Sequence, residues 1–529
     1  MLVVKEKQKL LMNLRNPEQV MALIPDARMQ VIQERNIVSV PHDDEVVRVL
    51  RNLGLAAPGP IRSYYDWPCR PGRDPFLHQL ETAEFLTMNP RAFCLNGMGS
   101  GKTLAVLWAL HWLREQGIIQ RAVVTSPLST LERTWGDEIF SSFPDMSFGI
   151  IHGPPRRKRI VAADNYDIFI INHDGVKDES VLSCLAERND VNAVVVDELA
   201  CFRNASTEKW KAINRLINGD KKRGWAPKPF AWGLTGTPIP KEPTDAWAQC
   251  KLIRPDSVPK FFGAFRDTVM KPIAPYKWAP RDNALDHVSK VMQPAIRFSR
   301  EDCIDLPPTT YVTREVEMTA EQKRLYKELM SRFKTEFDGG SIKAVNEAVR
   351  IGKLLQVVCG VAYTEDGDVQ IPSETRVAEV FDIVENAEGK VIVFVPLTGA
   401  LRGLAAALGE QYEVAIVDGS TSKTARDNIF SAFMSKHGPR VLVAQPGTMS
   451  HGLTLTEANT IVWYAPVHSN EIYEQANARI VRPGQKRNTL IVRLQGSDLE
   501  RRIYERLEKR GDMQGLLLGM FEQPADTLT

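Results

Sequence analysis

Apolar residues follow two rhythms along this chain. Short unbroken runs (Ala92–Leu95, Ala122–Thr125, Ile168–Ile171 and Ala193–Val196) recur between about 71 and 255, each followed by a loop, with helical patterns between them. Parallel strands buried on both faces read as continuous apolar runs, so this alternation predicts a doubly wound parallel sheet. A second set, GKVIVFVPL, EVAIVDG, RVLVAQPG, TIVWYAP and NTLIVRL, predicts another parallel sheet over 386–495. Between them, 256–385 reads as a helical connector, with TAEQKRLYKELMSRFKTEF as a charged amphipathic helix. Residues 1–70 read as a small α+β unit: strand, turn and strand, then a helix carrying Val46, Val47, Leu50 and Leu53 at helical spacing. The Pro/Gly-rich AAPGPIRSYYDWPCRPGRDP follows as a linker. Over 496–529, Ser497 and Glu500 form a capping-box pattern for a brace helix whose apolar face is Leu499, Ile503 and Leu507. The expected fold class is α/β, two tandem doubly wound lobes with a small N-terminal unit and helical insertions.

Composition narrows the setting. The 529 residues are too many for one core and suit two α/β domains with appendages. Hydrophobic residues are 43% and charged residues 25%, a globular profile with no apolar run long enough for a bilayer. The start lacks a signal-peptide cleavage pattern, and seven scattered cysteines without a C-x-x-C pair argue against disulfides or structural zinc, so a cytoplasmic protein is expected. Net charge is only +2, so any nucleic-acid contact must come from local patches.

The chemistry concentrates in NGMGSGKT, Asn96–Thr103, between the apolar run AFCL and the helical LAVLWALHWL. Strand, glycine-rich loop and helix form a phosphate cradle. Gly97, Gly99 and Gly101, with Met98 and Ser100 between them, let successive backbone N–H groups face a phosphate at the positive end of the helix. Lys102 is expected to reach the β- and γ-phosphates of ATP, and Thr103 to ligate Mg²⁺. Asn96 stands where the strict pattern has glycine. The second half is Asp197-Glu198, directly after NAVVVDE's apolar run. Asp197 is expected to hold Mg²⁺ through its water shell, and Glu198 to polarise the attacking water.

With these residues in view, the chain from about 74 to 510 resembles the Swi/Snf family of DNA translocases in helicase superfamily two. NGMGSGKT is similar to DEMGLGKT, DELACFRN to DEAHRLKN, and LTGTPIPKEPTDAWAQCKLIRP to the family's LTGTP segment ending in RP. SPLSTLERTWGDEI is similar to its PLS-then-Trp segment, and PAIRFSREDCIDLPP to its connector ending in Leu-Pro. QANARIVRPGQ carries Gln475, Arg479, Arg482, Gly484 and Gln485 in the pattern QAxxRxxRxGQ. The resemblance implies RecA-like lobes at 71–255 (ATP-binding) and 386–495 (helicase C-terminal). It makes Gln79 an adenine reader, and Thr235 and Thr237 a coupling element. Gly452 and Thr454 become part of a loop touching nucleotide and DNA backbone. Gln475 belongs to the catalytic set, and Arg479 and Arg482 become arginine fingers. Departures fall at Leu199, at Met449-Ser450-His451 and around Gly452.

Ile24–Pro41 resembles the strand–turn–strand module preceding annealing-helicase motors, with Met29 and Ile37 in place of tryptophans, which makes residues 1–70 either a DNA-structure sensor or a packing unit. Arg156-Arg157-Lys158-Arg159 and Lys221-Lys222-Arg223 are candidate phosphate contacts. The expected function is a DNA-dependent ATPase translocating on double-stranded DNA, with forked or branched DNA as candidate substrates and fork remodelling, strand annealing or protein displacement as possible outcomes. An RNA or single-strand DNA helicase on the same lobes and an ATP-switched DNA-binding clamp are the alternatives. Short flanks suit a bacterial or phage genome.

Overall fold

The apolar runs become strands because each is buried on both faces. A computed structural model describes residues 1–275, 277–299, 307–335, 344–364, 367–449, 454–482 and 484–520. They form two compact units, one of residues 1–303 with 516–529 and one of 304–515.

In the first unit seven strands pair in the order Ala295–Ile296, Arg91–Cys94, Phe230–Leu234, Val191–Val196, Arg121–Ser126, Ile168–Asn172, Phe148–Ile151. Every pairing is parallel. Parallel strands need crossovers, which the intervening helices supply. The carboxyl ends of all these strands therefore lie along one edge, the usual place for chemistry in an open α/β sheet. The core joins Val124, Ile170, Val195 and Trp232 of the sheet to Leu107, Trp108 and Leu110 of the helix Lys102–Glu115.

The N-terminal residues form a separate antiparallel sheet, Leu2–Val4, Lys9–Asn13, Arg35–Pro41, Arg28–Ile32 in spatial order. Its first two strands are additions to the expected strand–turn–strand. The helix Asp44–Asn52 is capped by the Asp43 side chain, which accepts from Val46 N at 2.8 Å, and buries Val46, Val47 and Leu50 on the sheet. The expected linker is in fact packed down. Tyr65 Oη bonds His111 Nδ1 at 2.7 Å, and Trp108 Nε1 donates to Pro68 O at 2.8 Å. Buried aromatics with polar tips need such partners, so this stretch is tied to the helix that follows the phosphate loop.

The second unit holds six parallel strands in the order Thr309–Glu315, Thr489–Gln495, Ala458–Trp463, Lys390–Phe394, Val441–Ala444, Val414–Val417. Along Lys390–Phe394, Val391 and Val393 enter one core while Ile392 and Phe394 enter the other. That two-sided burial is why the run carries no polar alternation. Residues 256–385 do more than connect: Ala295–Ile296 adds a strand to the first sheet and Thr309–Glu315 one to the second. No helix among the described residues is long and apolar enough to cross a membrane.

The brace helix Asp498–Gly519 is locked by charge as well as by Ile503 and Leu507. Glu500 accepts both Arg376 guanidinium nitrogens, at 2.9 and 3.1 Å, with side chains 0% and 3% exposed. It also accepts from Gly496 N at 2.7 Å. Removing one member strands the other charge in the core. Arg376→Met is expected to destabilise the second unit by about 3–5 kcal/mol in urea unfolding, whereas Arg376→Met with Glu500→Leu recovers most of that loss.

Candidate functional site

The strand Arg91–Cys94 runs into Leu95 and the glycine loop, and the helix Lys102–Glu115 starts from that loop. Gly99 and Gly101 sit in the left-handed region, φ +81° and +78°. A Cβ on Gly101 would stand 1.8 Å from Gln79 Nε2, so only glycine fits there. Lys102 folds back on the loop, its Nζ donating to the carbonyls of Asn96 at 3.0 Å and Gly97 at 3.1 Å. Ser100 Oγ is buried without a hydrogen-bond partner among the described residues. A loop with an ammonium able to exchange carbonyls for phosphate oxygens, and with an orphaned hydroxyl, fits a nucleotide phosphate.

Neighbouring segments hold this loop. His78 Nε2 lies 2.8 Å and Gln79 Nε2 3.2 Å from Ser100 O, so two donors meet on one carbonyl. Burial lowers the pKa of the His78 imidazole. Gln79 is 1% exposed, and its Oε1 accepts from Phe76 N at 3.1 Å. The expected adenine reader is thus engaged at both ends of its amide by the chain itself. Asn96 is a hub: its Nδ2 donates to Thr82 Oγ1 at 2.8 Å and its Oδ1 accepts from Phe298 N at 3.0 Å.

Two strands across, Val191–Val196 delivers Asp197-Glu198 to the same edge. Trp135 Nε1 donates to Asp197 Oδ2 at 3.0 Å, and Glu198 N to Asp197 Oδ1 at 3.0 Å. Burial pushes the Asp197 carboxyl above its ordinary pKa, against the Trp135 hydrogen bond and the Lys102 charge. Glu198 itself is held at φ +47°, a strained conformation for a side-chain-bearing residue. Thr235 N donates to Cys94 O at 3.0 Å, and Thr237 N to Thr235 Oγ1 at 3.1 Å, setting the Thr-Gly-Thr turn between the two strand ends. No cluster of three or more His, Cys, Asp or Glu side chains suited to a metal exists among the described residues. Thr103 and Asp197 carry oxygens of the kind that would hold a hard cation such as magnesium.

In the second unit Gln475 lies on the helix Asn470–Asn477, capped by Ser469 Oγ accepting from Ile472 N at 3.3 Å. Arg479 follows it, 6% exposed, with Nε donating to Gln475 O at 3.0 Å and its own carbonyl accepting from Leu455 N at 3.0 Å. Gln485 Nε2 donates to Ala458 O at 2.8 Å, which fixes the Arg482–Gln485 turn, where Gly484 has φ +96°. Gly452 lies outside the described residues.

Sequence reasoning missed Trp135, His78 and His173. Trp135 sits on a π-helical turn, Leu131–Gly136, an irregularity frequent at functional sites. The quoted SPLSTLERTWGDEI carries it, but nothing in spacing alone aims its indole at Asp197.

A glycine loop with a lysine at a helix N-terminus, a carboxylate pair ending a strand two places along the same sheet, and a second parallel-sheet unit fit an ATP hydrolase built on two parallel sheets. Residues 78–360 match the SNF2-related domain and residues 375–484 the helicase conserved C-terminal domain. The first match alone takes in more than half of the chain, which belongs to the SNF2-related family. It is 24% identical over 446 residues to protein p41 of Acyrthosiphon pisum secondary endosymbiont phage 1, covering 80% of this chain and 93% of that one. It is 23% identical over 450 residues to the ISWI chromatin-remodeling complex ATPase CHR17 of Arabidopsis thaliana, covering 80% of this chain but only 40% of that protein. The Sulfolobus solfataricus SWI2/SNF2 ATPase core, solved in complex with dsDNA, aligns with a TM-score of 0.41 and 20% identity, over 86% of this chain and 95% of that one.

Gly101→Ala tests the loop. The added methyl meets Gln79 and the left-handed backbone costs about 1–2 kcal/mol, so ATP affinity by fluorescent-nucleotide titration is expected to fall about tenfold or more. Unchanged affinity would show that nucleotide does not use this loop.

Proposed function

We propose that this protein is a DNA-dependent ATPase that couples ATP hydrolysis to translocation on double-stranded DNA. ATP and Mg²⁺ are its cofactors. Bound magnesium would neutralise charge on the transferring phosphoryl group. Lys102 and the N–H groups of the loop bind the β- and γ-phosphates, Thr103 and Asp197 hold the cation, and Glu198 takes the proton of the attacking water. Arg479 and Arg482 supply cationic charge in the transition state, with Gln475 orienting them, and Gln79 reads the adenine edge. Gly452 and Thr454 contact nucleotide and DNA backbone.

The observation that carries the nucleic-acid part is the helix Pro155–Ala163. It begins four residues past the end of the strand Phe148–Ile151, on the same edge as the phosphate loop. Arg156, Arg157 and Arg159 are exposed there and form no ion pair among the described residues, while Lys158 pairs with Asp178 at 2.6 Å. Cations in the first turn oppose the helix dipole, and acidic residues there are absent. A phosphate backbone relieves that repulsion. The other basic run differs: Arg223 is paired with Glu179 at 2.6 Å, and the run precedes the strand Phe230–Leu234, on the opposite edge. Duplex rather than single-stranded DNA rests on the family's translocase character, and residues 1–70 are read as selecting forked or branched DNA.

Steady-state ATPase rates with no nucleic acid, duplex DNA, forked DNA, single-stranded DNA and RNA test this directly. Duplex is expected to stimulate most; stimulation by RNA or single strands alone would make the protein a different kind of helicase, and none at all a clamp or switch. Glu198→Gln is expected to lower turnover by about 100-fold with ATP binding kept. Reversing Arg156, Arg157 and Arg159 to Glu is expected to flatten the log–log dependence of duplex affinity on salt by about 2–3. An unchanged slope would remove this helix from the DNA path.

A further inference from the structure

Asp197 and Glu198 are joined by one peptide plane that is held from both sides. Its N–H belongs to Glu198 and donates to Asp197 Oδ1 at 3.0 Å. Its carbonyl belongs to Asp197 and lies 2.8 Å from His173 Nε2. A carbonyl only accepts, so Nε2 carries the proton and the tautomer is set. Fixing both ends of a trans peptide fixes its rotation. The result is the left-handed Glu198, φ +47°, ψ +54°. Without the imidazole the plane can turn and relieve roughly 1 kcal/mol of strain, which swings the Cα–Cβ bond and the carboxylate with it.

His173 is 7% exposed. Its ring meets Phe202 edge-on, with centroids 4.9 Å apart at 72°. Its backbone N–H donates to Ser126 O at 3.2 Å, and Asp197 N donates to Thr125 O at 2.9 Å. Three strand ends therefore converge on this side chain. Burial lowers the pKa of this imidazole. Directly after it, Asp174 lies exposed at the head of the turn Gly175–Lys177, at the edge where the basic helix also begins. Only Asp174 separates this turn from His173, whose side chain bonds the Asp197–Glu198 peptide.

We infer that His173 is a positioning residue that holds the Asp197–Glu198 peptide in its strained turn, aims the Glu198 carboxylate, and links the nucleic-acid-facing edge to hydrolysis. This rests on reading Glu198 as the group that polarises water and on the duplex reading above. It adds a specific mechanical link between the two.

The test compares wild type, His173→Ala and His173→Gln, whose amide Nε2 can reach the same carbonyl. Turnover and KM for ATP are measured without DNA and at saturating duplex, with duplex affinity and thermal midpoint alongside. His173→Ala is expected to lower duplex-stimulated kcat by about tenfold, equivalent to about 1.4 kcal/mol of barrier, with KM for ATP within about twofold. His173→Gln is expected to recover about half or more of the lost turnover. Unchanged stimulated kcat in the alanine variant overturns the inference, as does an equal loss in both variants with KM and thermal midpoint falling away together. If wild type is not stimulated by duplex, the proposed function fails instead. The aiming role is then decided by basal kcat in the same variants: a fall in the alanine variant with recovery in the glutamine variant upholds it, and no fall overturns it.

Discussion

A partly buried carboxylate near an ammonium must be kept charged, and much of the first unit is arranged around that requirement. Asp197 is half-buried, and burial by itself raises its pKa. Trp135, the Ser126 hydroxyl and the Lys102 charge oppose that rise. Ser126 ends the strand Arg121–Ser126 and Trp135 lies in the segment after it, while Lys102 follows the strand Arg91–Cys94. Only a parallel sheet brings so many strand ends to one edge, so the topology is what makes the electrostatics feasible. The same edge carries the phosphate loop and the helix Pro155–Ala163, whose arginines form no ion pair among the described residues.

Much of this was legible in the sequence because buried parallel strands leave an unmistakable trace. Ala122–Thr125, Ile168–Ile171 and Ala193–Val196 each lie within a strand of the first sheet, and all five apolar runs after residue 386 lie in the second. Asn96–Thr103 and Asp197-Glu198 could be found because the loop must follow a strand and precede a helix, and the carboxylates must end another strand. The strands that escaped have weaker traces. Phe230–Leu234 carries a glycine inside the run, Phe148–Ile151 is a four-residue edge strand, and Ala295–Ile296 is two residues long. A Cβ at Gly233 would stand 2.5 Å from Leu199, so the glycine that weakens the pattern is demanded by packing.

The side chains that hold the glycine loop and the Asp197-Glu198 peptide were less legible than the motifs themselves. Trp135 and His173 lie 62 and 24 residues from the aspartate they serve. Local periodicity carries no information about such partners, because the contact exists only once the crossovers have brought strand ends together. In the second unit the Gln475–Gln485 stretch was recognisable as a pattern, yet its rigidity comes from backbone bonds to Leu455 and Ala458 that no spacing rule reveals.

Asn96 shows why a departure from the strict phosphate-loop pattern can be structural. Glycine at this position would have no side chain to bond Thr82 and Phe298. With asparagine, the amide joins the helix Leu77–Met88, the phosphate loop and the segment that follows Ala295–Ile296. The pairing continues along the backbone: Phe93 N donates to Pro294 O, Leu95 N to Ile296 O and Gly97 N to Phe298 O, at 3.0, 2.8 and 3.0 Å. Arg297 Nη1 adds a bond to Leu95 O at 2.8 Å. The chain thus leaves the first unit zipped to the strand that feeds the phosphate loop.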